Sequence, residues 1–579
     1  MLEEKINQNF LLPIDFNSKT YNTPTNLYED LELIDSPKDS SNNSLYEHLL
    51  KPKLPFSYLS MAKLSKKYTT DIEFLKNTQK MMKNNKKINK NEETKIVKAW
   101  ESFKNIREDP NFMEKYQYIN FDLLKFLNKS VIFLTVISIY SILSPLLNLL
   151  APLLLLIVPF FIIKLKGMKI SLSIYWRLLV LSLQKHSFGR LLTDWSSLPW
   201  SQKTYMIIML GMYIYNIYQN AISCYQFYQN TGTINSDILN IKHYLYETRN
   251  KISGYISKID NLPTYQNYKQ YLQDKLENIN ELYHQLNKIP TASFHPKKMV
   301  HIGYTMQQYY LLYESQKIEN TMLFSFGFWG FLDNIGEISE KINKNEINKT
   351  TFSTKKHTIL KMKQAYYPTL QYQSIQNKNI PNDISLKKNK IITGPNASGK
   401  TSLLKNIITN LLISQQFGYG FFKKSVITPF EHIHCYLNIP DTSSRDSLFQ
   451  AEARRCHLIL KEIEKYPNDK HFCIFDELFS GTNPYEAVSS ACAYLTHISE
   501  FENVKFMLTT HFIRLCKLMK KQNNIENINM KTKLVDLKPE YFYKVQKGIS
   551  QIKGAITVLK DLGYPDKIIQ NTKNILNNL

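Results

Sequence analysis

Residues 388–402 read KNKIITGPNASGKTS, and this stretch restricts the possible folds more than any other in the chain. A short β-prone run, Ile391, Ile392 and Thr393, enters a loop carrying Gly394, Gly399, Lys400 and Thr401 at the spacing GxxxxGK[ST]. The helix-prone run SLLKNIITNLLI follows at once. Strand, glycine-bearing loop and helix in that order turn backbone N–H groups into a cradle, and the helix amino terminus adds partial positive charge. Such a cradle suits phosphate. Lys400 is placed to reach the β and γ phosphates and Thr401 to give a hydroxyl oxygen to Mg²⁺, with Pro395, Asn396, Ala397, Ser398 and Ser402 completing the loop. ATP and Mg²⁺ are the expected ligands, and the expected fold of this part is α/β.

A second element supports the first. Residues 471–487, HFCIFDELFSGTNPYEA, begin as an apolar strand and end it on Asp476 and Glu477. Adjacent carboxylates at a strand end can divide two tasks: Asp476 holds Mg²⁺ through water, and Glu477 orients or deprotonates an attacking water. A solvated strand end would explain an Asp-Glu pair but not its apolar lead-in. A further strand-like run, VKFMLTT, ends beside His511.

These residues resemble the ATPase domain of the MutS DNA mismatch-repair family, which is of the ABC type. The family reads GPNxxGKST at the loop, and this chain has GPNASGKTS with Pro395 and Asn396 at the extra positions. The family's DExxxGT run is matched by Asp476, Glu477, Gly481 and Thr482, and its Thr-His pair by Thr510 and His511. AYYPTL with Tyr367 and Pro368 is similar to the family's entry, and IPNDISL at 380–386 to the segment lying against adenine. FYKVQKG at 542–548 and DLGYPDKIIQNTKNIL at 561–576 look like its closing elements. The resemblance runs from Ala365 to the end.

The resemblance implies that His511 contacts the γ-phosphate region. It also implies a role in trans for the segment with Asp441, Ser447, Phe449 and Glu452, whose Ser447 would approach the nucleotide of a partner subunit. A homodimer through the ATPase domains is then expected; from the sequence alone Ser447 is a serine near a helix start, where capping is the default. Three features depart from the family. IKGA at 552–555 stands where SYGI is usual, and Asn379 stands where an aromatic commonly precedes the adenine segment. The Phe-x-Glu wedge of mismatch sensors has one candidate, Phe112-Met113-Glu114, in the wrong setting.

Upstream, residues 130–163 carry no charged residue. That is about 34 positions, against about 20 needed to cross a bilayer as a helix. Pro145, Asn148 and Pro152 near the middle predict two short helices forming a hairpin, with Lys125, Lys129, Lys164, Lys166 and Lys169 flanking it. A buried helix pair in a soluble domain is the alternative. A second uncharged stretch, 204–230, is richer in Tyr and Asn and is not read as a span. Long helices with apolar residues three and four apart follow over 236–286, interrupted at Pro263, and over 299–342. The expected order is a polar region at 1–125 with loosely ordered connections, a hydrophobic, membrane-associated helical region at 126–235, an all-α lever at 236–350 and the P-loop ATPase domain at 351–579.

The net charge of +24 suits nucleic acid or an anionic membrane. It also fits a chain rich in Lys and Asn throughout, whose densest cluster, 80–95, reads as a solvated linker. Six cysteines without a CxxC pair point to a reducing compartment and away from zinc or a disulfide framework. The acidic and polar start, MLEEKINQNF, is unlike a secretory signal. Two functions follow as expectations: a MutS-like ATPase that binds DNA, mismatched DNA included, or a membrane-tethered ATP-dependent switch without mismatch recognition. Either would work inside the cell at the cytoplasmic face of a membrane. A transporter ATPase fits less well, since no LSGGQ-type signature is present.

Overall fold

The computed structural model describes residues 2–34, 44–167, 171–185, 199–290, 296–355, 357–371, 380–437, 447–535, 538–550, 552, 556, 559–560 and 562–578. Two units emerge, both discontinuous in sequence: Thr94–Asn250 with Glu277–Thr321, and Met1–Glu93 with Lys251–Leu276 and Met322–Leu579. The division cuts across the four consecutive segments that composition suggests, because composition registers local polarity while the units are set by long-range packing.

The first unit is helical. Its main elements are α1 (Val131–Leu165), α2 (Leu172–Lys185), the long α3 (Trp200–Ile259) as far as Asn250, and α4 (Pro296–Glu314). Ser130 caps α1, its Oγ accepting from the Phe133 N–H at 3.3 Å. α4 lies close against the first turns of α1: a Cβ at Gly303 would overlap the Thr135 hydroxyl and the Val131 carbonyl, so glycine is required there. Tyr118 OH donates to the Met306 carbonyl at 2.7 Å, and Phe112 stacks on Tyr313 with centroids 4.0 Å apart. Phe112 is fully buried in this aromatic cluster, which gives it a packing role in place of the wedge considered above.

The expected hairpin within 130–163 is not what forms; α1 is a single helix. A proline at i removes the N–H that would reach the carbonyl at i−4. α1 holds Pro145, Pro152 and Pro159, and the carbonyls orphaned by the first two find other donors. Pro145 leaves that of Ser141, which accepts from Ser144 Oγ at 3.4 Å. Pro152 leaves that of Asn148, which accepts from Tyr213 OH of α3 at 2.8 Å. With leucine-rich turns on either side to continue it, the helix passes through.

In the second unit a six-stranded sheet holds β1 (Asn389–Thr393), β2 (His432–Tyr436), β3 (His471–Asp476), β4 (Val504–Thr509), β5 (Ile525–Val535) and β6 (Lys538–Lys547), in the order β6-β5-β1-β4-β3-β2. All neighbours are parallel except the β5–β6 pair. Helices α5 (Lys400–Phe417), α6 (Leu448–Lys465) and α7 (Pro484–Ser499) accompany it. Ile459 and Ile463 of α6 and Leu495 and Ile498 of α7 share a core with Cys473 and Phe475 of β3 and Phe506 and Leu508 of β4. Near-continuous apolar strands are what a parallel sheet covered by helices requires. A second, five-stranded sheet combines Asn348–Phe352, Leu360–Ala365, Asn382–Ser385, Tyr419–Gly420 and Lys424–Ile427.

Of the polar amino-terminal region, Met1–Glu93 belongs to this second unit. Helices form at Leu2–Asn9, Thr25–Asp30, Leu45–Leu50, Ser57–Ser65 and Ile72–Met82. Its polarity is used for docking. Gln79 Nε2 donates to the carbonyls of Thr350 (2.8 Å) and Gly418 (2.7 Å), Gln416 Nε2 donates to that of Lys67 (3.0 Å), and Tyr68 OH to that of Glu431 (2.8 Å). Within the supposed linker, Lys87 pairs with Glu337 and Glu340. Buried amides that satisfy backbone groups look hydrophilic in a sequence and act as core in the fold.

Candidate functional site

β1 is buried along its whole length, and its carboxyl end opens into the loop 394–399. Gly399 begins α5 at φ +89°, a conformation that favours glycine. A Cβ on Gly394 would sit 2.7 Å from Ser398 Oγ. That hydroxyl is buried and has no partner among the described residues, so the loop is a cradle with a hydrogen-bonding group to spare inside it. Lys400 is only 6% exposed; its Nζ donates to the carbonyls of Gly394 (3.1 Å) and Pro395 (3.3 Å). Burial pushes its ammonium below the ordinary lysine range, against the pull of Glu477 and Asp476. Pro395 is buried, Asn396 and Ala397 are exposed, and Ser402 is partly covered in the first turn of α5.

β3 and β4 bring the acidic residues to the same place. Thr401 Oγ1 donates to Asp476 Oδ2 at 2.7 Å, and Thr509 of β4 bonds the other Asp476 oxygen. His511 Nε2 lies 2.7 Å from Glu477 Oε1 and 3.1 Å from Lys400 Nζ. The His511 hydrogen bond holds the Glu477 carboxyl below its usual range, outweighing the upward effect of partial burial. Lys400, Thr401, Asp476, Glu477 and His511, expected from separate stretches of sequence, thus converge. Four non-glycine residues with left-handed φ lie here as well: Ala397 (+61°), Glu477 (+52°), Phe479 (+58°) and Tyr543 (+51°). Such conformations persist where surrounding structure imposes them, and they gather at functional sites.

The fit to phosphate and a divalent cation rests on these features: a glycine-framed loop, a buried hydroxyl without a partner among the described residues, a buried ammonium, and a hydroxyl beside a carboxylate at its rim. Loop N–H groups, Ser398 and Lys400 would hold the phosphates, and Thr401 with Asp476 would hold Mg²⁺.

Two residues carry more than the sequence reading gave them. Tyr543 places its ring Cδ1 3.1 Å from where a Gly399 Cβ would lie. Its carbonyl accepts from Asn382 Nδ2 at 2.9 Å, and Asn382 Oδ1 accepts from the Val545 N–H at 2.9 Å. An aromatic therefore flanks the loop although position 379, where one was sought, lies outside the described residues. The strand-edge run YFYK was the available signal. The second is Glu452 of α6, which is 3% exposed. Its Oε1 accepts from Ser480 N–H (3.1 Å) and Ser480 Oγ (3.0 Å), and its Oε2 from Gly481 N–H (3.2 Å). One carboxylate thus fixes the turn that follows Glu477.

Glu452→Gln presents an amide N–H₂ to one of those N–H donors, a mismatch worth about 1–3 kcal/mol in a buried site. We expect ATP turnover to fall about tenfold or more with the KM for ATP little changed, read by steady-state phosphate release. Equal losses in both parameters would point to general unfolding in place of a displaced Glu477.

Ser447 is the amino-terminal cap of α6: its Oγ accepts from Gln450 N–H (3.4 Å) and its own N–H donates to Gln450 Oε1 (3.0 Å). That is a capping box. Phe449 packs on Phe479, with centroids 5.7 Å apart. Asp441 lies outside the described residues.

Comparison with known proteins agrees with this geometry. A protein named DNA mismatch repair protein MutS from Leuconostoc mesenteroides is 25% identical over 254 residues, covering 43% of this chain and 29% of that protein. Proteins of the same name from Phocaeicola vulgatus and Bacteroides fragilis are 28% and 30% identical over 229 residues, covering 38% of this chain and 26% of theirs. The chain thus matches under a third of the length of these relatives. Residues 390–579 match MutS domain V, so it is the carboxyl-terminal third of the chain that these likenesses connect to the MutS family.

Proposed function

We propose that this chain is a P-loop ATPase of the MutS type, binding ATP with Mg²⁺ at residues 394–402, hydrolysing it and acting on DNA in a process like mismatch repair. The observation that carries the reading is the convergence of Lys400, Thr401, Asp476, Glu477 and His511 around a loop that matches MutS domain V. Mg²⁺, when bound, would offset charge on the phosphates. Lys400 and the loop N–H groups stabilise the negative charge on the transferred phosphoryl group. Glu477 takes the proton of the attacking water. In the present geometry His511 bonds Glu477 Oε1 and leaves Oε2 to serve as the base; a turn of His511 toward the γ-phosphate would free both oxygens. Ser447 acts across a homodimer in this reading, a role that rests on the family resemblance. DNA would be held chiefly through phosphate contacts by a chain of net charge +24, so its binding should fall steeply with salt.

A second reading is a membrane-tethered ATP-dependent switch without mismatch recognition, at the cytoplasmic face of a membrane. It is favoured by the large apolar side chains exposed along α1, α2 and α3. ATPase rates of the purified protein in detergent, with homoduplex, mismatched and branched DNA, separate the two. A response to mismatched DNA alone supports the first. Equal rates on all DNA, with a rate that changes on adding lipid, support the second. No ATP hydrolysis under any condition sinks both.

A further inference from the structure

Helices α1 and α3 run antiparallel, held by Tyr213 OH to the Asn148 carbonyl (2.8 Å) and Cys224 Sγ to that of Ile142 (3.6 Å). Residues 130–163 of one and 204–236 of the other contain no charged side chain. A two-helix arm in water keeps its outward faces polar. Here Val136 (61%), Leu149 (57%) and Phe161 (56%) of α1, and Ile208 (58%) and Met212 (62%) of α3, face outward. Among the described residues, Val131–Ala151 is long and apolar enough to cross a membrane.

The arm's ends differ from its middle. Before α1, the turn Asp122–Lys129 exposes Phe121, Leu123 and Phe126 beside Lys125 and Lys129, an amphipathic combination suited to a headgroup layer. At the other end come Lys164, Lys166 and Lys203, with Trp176 (65%) and Trp200 (81%) exposed. Trp and Lys are the usual residues at a membrane interface. An uncharged helix of about 34 residues is about 50 Å long, enough for a hydrocarbon core of about 30 Å with its headgroup layers and some tilt. Several polar groups within the arm are satisfied from inside it, as a bilayer would require: the carbonyl left by Pro152 is taken by Tyr213, and Thr135, Asn220 and Thr231 donate to carbonyls one turn back on their own helices. Ser141 Oγ and Asn230 Nδ2 instead donate out of the arm, to Gln117 Oε1 (3.0 Å) and the Lys115 carbonyl (2.6 Å).

We propose that α1 and the amino-terminal half of α3 form a two-helix hairpin spanning a phospholipid bilayer, with residues 121–126 in one headgroup layer and Trp176 and Trp200 at the other. The proposal rests on the membrane-tethered reading and adds a topology to it. The full chain, reconstituted in sealed vesicles of phosphatidylcholine with some phosphatidylglycerol, should float on a density gradient after alkaline carbonate. Brominated acyl chains should quench the fluorescence of Trp176 and Trp200 and leave that of the buried Trp100 and Trp329. External trypsin should spare the bonds after Lys164, Lys166 and Lys203 until detergent opens the vesicles. Leu149→Glu with Ile208→Glu should abolish flotation and leave ATP turnover unchanged. Flotation with those lysines cut in sealed vesicles overturns the spanning topology while the membrane tether stands. Failure to float, with concentration-dependent self-association in aqueous buffer, overturns both and makes a second copy the occupant of the apolar faces.

Discussion

Glu477→Ala should bind ATP about as well as the wild-type chain and turn it over about 10²–10⁴-fold more slowly, the range for loss of a general base. Glu477 stands at the end of β3, its N–H bonded to the Thr509 carbonyl at 3.1 Å, and its left-handed φ aims the carboxylate across the loop rather than along the strand. It makes none of the contacts that define the cradle, which come from Gly394, Ser398, Gly399 and Lys400. Removing it therefore spares the phosphate-binding groups and takes away only the proton acceptor. The measurement is paired: retention of labelled ATP on a filter, and phosphate release at saturating ATP. Glu477→Gln sharpens the test, because an amide keeps the shape and the capacity to orient water but cannot accept its proton. A Glu477→Ala chain that hydrolyses at the wild-type rate would falsify the assignment. If binding and turnover fall together, Glu477 is holding the loop through His511 instead.

The parts of this structure that were legible in the sequence are those whose geometry follows from a short run. The strand at Asn389–Thr393, the helix from Lys400 and the carboxylates ending β3 stand where glycine spacing and apolar runs predict. The break at Pro263 falls between α3 and the helix Gln266–Asn287, and the helices Pro296–Glu314 and Gln316–Asn343 fill the stretch 299–342. What was not legible depends on partners remote in sequence. Prolines 145 and 152 signal a break in any local reading, and for Pro152 it is Tyr213, on another helix, that takes up the orphaned carbonyl. Gln79, Gln415 and Gln416 raise the polarity of their segments, yet each serves a buried carbonyl. Glu452 matched a family position, but its grip on Ser480 and Gly481 exists only once α6 lies against the turn after β3. Tyr543 likewise acquires its place from the pairing of β6 with β5 and its carbonyl bond to Asn382. Local motifs announce chemistry; the residues that position the chemistry are announced by the fold.

Lys400→Ala should lose productive ATP binding, with Kd raised by about 30-fold to several thousand-fold, the equivalent of the 2–5 kcal/mol that truncating one side of a buried charge pair costs. Lys400 Nζ already bonds two loop carbonyls, those of Gly394 and Pro395, and is 6% exposed. An ammonium so placed has been stripped of most of its water before any ligand arrives, and a phosphate gains its charge at little further desolvation cost. The same burial lowers its affinity for a proton. Nucleotide binding should therefore weaken as pH rises through the depressed lysine value and be full below it, whereas the Glu477→Ala chain should keep that profile. Stability separates a binding defect from a collapsed loop. Replacing a buried charge by an apolar side chain of similar volume is often neutral or stabilising, so Lys400→Met should keep the thermal midpoint of the wild-type chain and still fail to bind. ATP held within about threefold of wild-type affinity, roughly 0.7 kcal/mol, by a folded Lys400→Met chain would mean that the backbone N–H groups alone hold the phosphates. The cradle at 394–399 would then be the binding site, and Lys400 would serve the transition state alone.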